Sequence, residues 1–595
     1  MKSLFLPLTA ALALAPHAGL AADTELPEVV ITATATPVSA DSTLASVIVI
    51  GRDTLESARG QDLGDVLRLH AGIDVVRSGG RGQQTSVFLR GANSNQTLLL
   101  VDGVRINSGT YGGVNLQNLG LENIERIEVV RGPRSSLYGS DAIGGVINII
   151  TRQSTRNATA IRLSASRDET ASGSFRQDLR AGAVSASFNA GGFYTDGYPL
   201  FSNNNAPRGY KNSEIGAGLG WGDGRNSLRA SYQKNSGRSE YLGFGNTLLS
   251  QDFVNDVSRL EARAGLGENI DSSLRVSLAR DRIDQLDSTD FAHTERREVR
   301  WQNDLRAGEH LLTIGASYSD DDVSAVIFGG GYGDVINHHA VFLQEQFTGD
   351  SLSLLLAARH ESSEQFGDHQ TGELATGLTF AEGQRLRASV STGFRAPDGN
   401  QLYGFGGNPS LRPEESRNLE IGSEHRAGPW RFGTSVYRND VDELIDFDMN
   451  TFQMQNIRRA RLEGVELTAD FTQGHWSWRN QAGYLRPRDR DNDQDLSRRP
   501  RRSLGSQLEF RQERYRVGGE VIAKSRNDNS GFDSIVIPGH AVFNLHGQLQ
   551  LDKNAHVALR IDNVADKTYG LAAAGGNGVY LAPPRTTTLT LALDF

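Results

Sequence analysis

The chain has 595 residues, 61 Lys and Arg against 71 Asp and Glu for a formal net charge of −10, 66 Gly and no Cys. The lack of Cys excludes a disulfide scaffold, cysteine-ligated zinc, iron–sulfur centres and thiol catalysis, and without a basic excess nucleic acid is not an expected partner. With 38% hydrophobic and 22% charged residues, the composition is too structured for a disordered chain.

Lys2, the apolar run from Leu4 to Leu14 and the small-residue site Gly19-Leu20-Ala21 read as a secretory signal peptide over residues 1–21, so the mature protein is expected to be exported. No later stretch approaches the roughly 20 apolar residues of a membrane-spanning helix. Any membrane passage must therefore be by β-strands. Residues 22–46 form a Thr/Ala/Ser-rich tether around Glu28-Val29-Val30-Ile31-Thr32-Ala33-Thr34. Such a short β-prone segment can add as a strand to the edge of a partner's sheet; a disordered mature N-terminus is the alternative.

Residues 47–155 read as a compact mixed α/β unit. Val47-Ile48-Val49-Ile50 is strand-like, Leu63 to Leu69 is helix-like, and Gly-rich turns separate further strands. From residue 156 to 595 the pattern changes to short alternating segments. Examples are Ile161–Ser166, Leu386–Ser391 and Val557–Asp562, and last Leu589, Leu591, Leu593 and Phe595 on one face against Thr590, Ala592 and Asp594 on the other. Alternation of this kind lets one face meet lipid and the other water. At about 20 residues per strand and connection, the fold class is a transmembrane β-barrel of about 22 antiparallel strands, wide enough to need a plug, which the α/β unit supplies. An edge strand of a soluble sandwich is the alternative for any one segment, but not for four hundred residues of them. Counting back from a periplasmic C-terminus places the stretches around Asp566–Tyr580, Ser525–Gly531, Arg488–Arg499 and Gly399–Pro409 outside.

Four runs in order carry a resemblance: Val87–Gly91, Leu99–Arg105, Ile124–Pro133 and Tyr138–Thr151. They are similar to the plug signatures of TonB-dependent outer-membrane receptors, and the terminal Phe595 resembles an outer-membrane sorting signal. The resemblance implies that Glu28, Val29, Val30, Ile31, Thr32 and Ala33 are the TonB box. Arg90, Asp102, Glu128 and Arg131 are expected to be structural ion-pair members, since charges in a lumen must be paired. The run Arg131–Gly145, together with Phe394-Arg395-Ala396-Pro397 to Gly404 and Gly407–Ser416, is closest to the cobalamin (vitamin B12) transporter branch. That branch rests its ligand on plug apical loops, which map to residues 80–86 and 107–115. The implied substrate contacts are Arg81, Gln83, Gln84, Thr85, Ser86, Ser108, Thr110, Tyr111 and Asn115, mostly neutral donors and acceptors that suit a corrinoid edged with amides.

The family's Asp-rich calcium loop corresponds to Thr195–Asn205, which holds one Asp and three Asn. Calcium ligands are therefore not carried over, no cofactor is expected and the metal assignment stays unknown. The expected function is TonB-dependent import of cobalamin or a related corrinoid across the bacterial outer membrane. The alternative is a receptor for a ferric siderophore or heme, although heme receptors place a His between the two barrel boxes and none lies between Pro397 and Asn408. An outer-membrane enzyme or a passive porin is less favoured: the 13 His show no catalytic spacing, and a porin needs neither plug nor coupling segment. The expected partners are TonB with its inner-membrane energising complex, the corrinoid, outer-membrane lipids and the barrel assembly machinery.

Overall fold

The computed structural model describes residues 29–30, 32–34, 36–167, 169–243, 247–448, 450–528, 535–573 and 578–595. The signal peptide, Glu28 and Ile31 lie outside the described residues.

Alternating side chains close residues 158–594 into one antiparallel barrel of 22 strands. On the last strand, Thr586–Asp594, the side chains of Thr588, Thr590 and Ala592 are buried towards the lumen while Leu589 and Leu591 face outwards. The strand Gln384–Arg395 repeats the pattern, with Leu386 and Val390 outside and Arg387 and Ser391 inside. The first strand, Ala158–Ala165, pairs with the last from Ala160 opposite Asp594 to Ala165 opposite Leu589, which closes the sheet and leaves no edge. One end of the barrel has tight turns such as 182–183, 308–309 and 428–429; the other has the long connections 196–209, 396–413, 490–501 and 563–585. Short turns mark the periplasmic side and long loops the outside. The loops counted outwards from the sequence all lie on the long-loop side. Near the turns, Trp430 packs on Phe432, Phe471 and Trp478, and Trp476 on Phe510, giving an aromatic girdle where amphipathic rings meet headgroups.

The lumen holds the α/β unit. Its main sheet has five strands in the order Ser46–Ile50, Ile124–Arg131, Gly145–Thr151, Thr97–Val101 and Val104–Arg105, and only the Gly145–Thr151 and Thr97–Val101 pair is parallel. A separate hairpin joins Ile73–Arg77 to Thr85–Leu89. The helix Leu63–Leu67 starts where the sequence places it because Asp62 and Asp65 form a reciprocal capping box. One apolar core runs through Ile50, Leu63, Leu67, Leu89, Ile127, Val129 and Ile147.

The plug meets the barrel through charge. Arg90 reaches Glu420 at 2.7 Å and Glu466 at 2.8 Å, and Arg131 reaches the same Glu466 at 2.8 Å. The Arg90 guanidinium also lies 4.2 Å over the Tyr437 ring. Arg134 pairs with Glu373 on the wall. Asp102 does a different job from the expected ion pair, since its carboxylate accepts from the Thr151 amide at 2.9 Å and hydroxyl at 2.6 Å and pins the last plug strand.

Candidate functional site

The plug has two working ends, its outer apex and its periplasmic underside. At the apex, the loop before Thr85 presses on the wall: a Cβ on Gly82, which sits at φ +74°, would run into the Tyr210 ring. Gln83 is buried and donates to the Glu240 carbonyl at 2.6 Å; Thr85 is buried and donates to the Gln83 carbonyl at 3.0 Å. Arg81 lies 5.1 Å over the Phe193 ring, Ser86 is half-buried and Gln84 is exposed. In the second loop, Ser108 Oγ is 2.8 Å from Thr110 Oγ1, Thr110 is fully buried, and Asn115 donates to Asp281 at 2.8 Å. Tyr111 is half-buried, and burial holds its phenol well above the ordinary range. Gln117 ties the two loops together, accepting from the Thr85 amide at 3.3 Å and donating to Asn115 at 3.1 Å.

Each apical loop lies under an extracellular roof. Over the first, strands Pro199–Phe201 and Asn204–Pro207 join Gly570–Ala573 and Val579–Leu581 in a four-stranded sheet, with Phe201 and Tyr580 rings 5.6 Å apart. A Cβ on Gly80 would meet Tyr198 at 2.8 Å. Over the second sits the helix Gly399–Tyr403, whose first amides donate to the plug: Gly399 to the Gly109 carbonyl at 2.9 Å and Asn400 to the Thr110 carbonyl at 2.7 Å. The two barrel boxes build this roof. Arg395, only 1% exposed, bonds Glu414 at 2.7 Å and Gln401 at 3.0 Å, while Asp398 caps the helix. Burial raises the Asp398 carboxyl to about 6, against the pull of Arg395. Of the nine sequence-predicted contacts, Gln83, Thr85, Ser108, Thr110 and Asn115 are thus spent on internal bonds, and Gln84 is the one exposed side chain.

The outer mouth carries aromatics that the sequence reading passed over. Phe328 and Phe405 are 70% and 67% exposed with rings 6.1 Å apart, and Phe452 is exposed against Phe447. For Phe328 and Phe405 the signal was an aromatic ring beside glycines in an outward turn, in Phe328-Gly329-Gly330 and Gly404-Phe405-Gly406. The carboxylates of the 489–495 loop are engaged by arginines, Asp491 with Arg459 at 2.7 Å and Asp489 with Arg458 at 3.5 Å. Among the described residues no group of three His, Asp or Glu could hold a metal ion.

On the underside, Val29–Val30 pairs with Val38–Ser39, and Thr32 docks into the plug. The Thr32 amide and hydroxyl both donate to Glu128, at 2.9 and 2.6 Å; Asn148 donates to the hydroxyl at 2.9 Å and Tyr138 to the carbonyl at 3.0 Å. Arg126 neutralises Glu128 at 2.8 Å. Ala33 is buried as well, and Gln344 of the wall donates to the Thr34 carbonyl at 2.9 Å. Tyr138 belongs to the short helix Ser135–Tyr138, and its neighbours Ser135 and Ser140 bond the amides of Phe394 and Ala396 at 3.3 and 3.0 Å. One small plug element therefore touches both the outer roof and the stowed N-terminal segment.

The family model for the β-barrel of TonB-dependent receptor-like proteins matches residues 149–564, and the TonB-dependent receptor plug domain model matches residues 39–146. Among solved structures, the siderophore receptor PiuA from Acinetobacter baumannii superposes with a TM-score of 0.80 at 16% identity, covering 94% of this chain and 98% of that one. A ferric enterobactin receptor, PfeA from Pseudomonas aeruginosa, gives 0.79 at 19% identity, covering 96% and 100%. The ferric-catecholate import receptor Fiu from K12 E. coli gives 0.80 at 14% identity, covering 94% and 98%.

Proposed function

The chain belongs to the TonB-dependent receptor family, and from that membership we propose that it actively imports a ferric siderophore across the outer membrane. The observation that carries the transport part is the docked N-terminal segment beneath a plug that fills a closed barrel. A short β-prone strand, held by Thr32 on Glu128 and Tyr138, is what a periplasmic partner can pull once it is released. Ligand contact at the mouth disturbs the roof helix Gly399–Tyr403 and the Phe394–Pro397 box. Ser135 and Ser140 pass that shift to the helix bearing Tyr138, and the hold on Thr32 loosens.

Support for a siderophore comes from the neighbours in fold, which are siderophore receptors, and from the exposed Phe328, Phe405 and Phe452, flat apolar faces on which aromatic chelating groups stack. A corrinoid is the second reading. It rests on the similarity of Arg131–Gly145 and of the two barrel boxes to the cobalamin branch, and on the exposed amide-bearing Gln84 at the apex.

Equilibrium binding of ferric enterobactin, cyanocobalamin and heme to the purified protein separates these readings. Micromolar or tighter binding of the ferric siderophore alone is expected; cyanocobalamin binding without it reverses the order. Replacing Val30 by Pro removes a main-chain donor and blocks strand addition, so uptake is expected to vanish while ligand binding stays at the parent level. Unchanged uptake would refute the coupling role of residues 28–33.

A further inference from the structure

The second apical loop meets the barrel wall over a cavity of about 40 Å3. Cross-strand pairing sets Asn235, Asn255, Asp281 and Thr294 side by side in one row, on the strands Ser227–Leu242, Leu248–Gly265, Ile270–Gln285 and Phe291–Ala307. The row beneath it, towards the periplasm, is Gln233, Val257 and Ala279, which gives the cavity an apolar floor with one amide at its side. From the plug, Asn115 donates to Asp281 at 2.8 Å and Asn118 to Asn255 at 2.8 Å, and Asn255 donates in turn to Asp281 at 2.6 Å. Ser108 and Tyr111 stand beside the same carboxylate.

Asp281 differs from other acids of the seam. Glu420 has Arg90, Glu373 has Arg134 and Asp321 has Arg296, whereas Asp281 is 8% exposed and, among the described residues, has no ion-pair partner. The arginines that border the cavity are committed elsewhere: Arg296 to Asp321 and the Asn107 carbonyl, Arg280 to Glu295 and Arg105 to Asp141. Neutral donors satisfy the lone pairs of a carboxylate but leave its charge in place, and a buried charge without a counter-charge is strongly unfavourable. Two more oxygens deepen the imbalance. Asn235 is only 2% exposed and its Oδ1 has no hydrogen-bond partner, and Gln233 Oε1, buried on the same strand, has none either. Carbonyl oxygens turned into the same space as a carboxylate repel it unless a cation lies among them.

We propose that this cavity is a site for an alkali-metal cation, shared by the Asp281 carboxylate and the side-chain carbonyl oxygens of Asn235 and Gln233. Ligation by oxygen alone suits a hard cation, and a single carboxylate balances one charge while falling short of the count that tight calcium binding uses. The volume has room for the ion and a water. Asn115 belongs to the plug and Asp281 to the wall, so the ion fastens the apical loop 107–115 to the barrel, and lifting that loop opens the ion to solvent.

Hydrogen exchange of residues 107–118 in the purified protein in detergent tests this at constant ionic strength, with sodium, potassium or choline chloride as the salt. Choline is too large for the cavity. Exchange in the parent is expected to be about tenfold slower in roughly 100 mM sodium or potassium than in choline, the effect of an ion whose dissociation constant is roughly 10 mM. Asp281→Asn should seat the loop equally in all three salts, because the charge that calls for the ion is gone. Asn235→Leu keeps the charge and the volume but removes one oxygen, and should need about tenfold more sodium for the same slowing. Asp252→Asn, an exposed partner of Arg238 on the strand Leu248–Gly265 outside the cavity, should respond as the parent does. Heat-modifiable gel mobility establishes that each variant is folded. Identical exchange of the parent in the three salts overturns the proposal and leaves Asp281 a protonated acid held by its neutral donors. So does a sodium effect that persists in Asp281→Asn, an Asn235→Leu variant with the parent's sodium dependence, or a response to calcium that neither sodium nor potassium gives.

Discussion

The inside of the plug and its seam with the barrel use opposite physics. Inside, Leu63, Leu67, Leu89, Ile127, Val129 and Ile147 are wholly buried among one another, and shape alone holds them. At the seam, Arg90 and Arg131 share Glu466, Gln61 bonds Asp562 at 3.0 Å, and Lys524 bonds Asp74 at 2.7 Å. A packed core yields only by opening a cavity, and the loss is felt through the whole sheet. Charged pairs can let go one at a time, because water or another charge replaces each partner. The contrast makes the plug a body that can be re-seated in the lumen while its sheet stays intact.

The comparison can be broken most directly at Arg90. Arg90→Met removes the guanidinium that Glu420 and Glu466 share, leaving Glu466 to Arg131 and Glu420 to Arg387 at 3.5 Å, and is expected to cost about 3–5 kcal/mol of plug docking. Bilayer recordings should show raised ion conductance, and hydrogen exchange should rise along the seam while the core strands keep their protection. Adding Glu466→Gln and Glu420→Gln should deepen the loss, because Arg131 and Arg387 then lose their own partners. Leu67→Ala is expected to cost about 2–5 kcal/mol by leaving a cavity, and here exchange should rise across Ser46–Ile50, Ile124–Arg131 and Gly145–Thr151 together. Seam-only effects from Leu67→Ala, or sheet-wide effects from Arg90→Met, would erase the distinction.

A smaller change is expected at the underside. Thr32→Val removes two hydroxyl contacts and leaves Glu128 short of a donor, a loss of about 1–3 kcal/mol. Amide exchange of residues 29–34 should quicken by roughly fivefold to a hundredfold, with siderophore affinity unchanged. The mildest test is acid. Burial, with Arg479 and Arg131 nearby, lowers the His70 imidazole to about 4 from its ordinary 6.5, and its Nδ1 lies 2.7 Å from Gln481 of the wall. Below pH 6.5 the unfolded chain takes up a proton that the seated plug refuses, so this contribution is complete above pH 6.5 and fades as the pH falls to 4. Plug seating followed by conductance should weaken over that window, and His70→Gln should flatten the response.

What the sequence disclosed follows the same divide. Strands such as Thr586–Asp594 were legible because alternation is local, and the helix at Leu63 because its cap lies at Asp62. The plug signatures marked the α/β unit as a whole. Partnership across the seam was not legible: Arg90 and Glu466 stand 376 positions apart, and Thr32 and Glu128 stand 96 apart, so no short window contains both members. The apical loops show the limit most clearly. The family resemblance assigned Gln83, Thr85, Ser108 and Thr110 to a ligand, but a resemblance between loops carries no record of what lies on top of them. The roofs come from residues 199–207, 399–403, 570–573 and 579–581, and only the folded chain brings them there.

The ladder that closes the barrel sets Arg162 opposite Ala592, and the Arg162 guanidinium donates to the Leu593 carbonyl 431 positions along the chain. That pairing cannot begin until the last residues have been made, and the entropy of closing so long a loop must be met before any contact repays it. The plug precedes the first strand, so it must be enclosed before or as this ladder zips. Once zipped, the ladder is the one place where the cylinder can part without tearing two adjacent hairpins, and it spans only the six residue pairs from Ala160 to Ala165. The working lifetime of the molecule is then a matter of rate, set by how seldom that short ladder opens along its whole length.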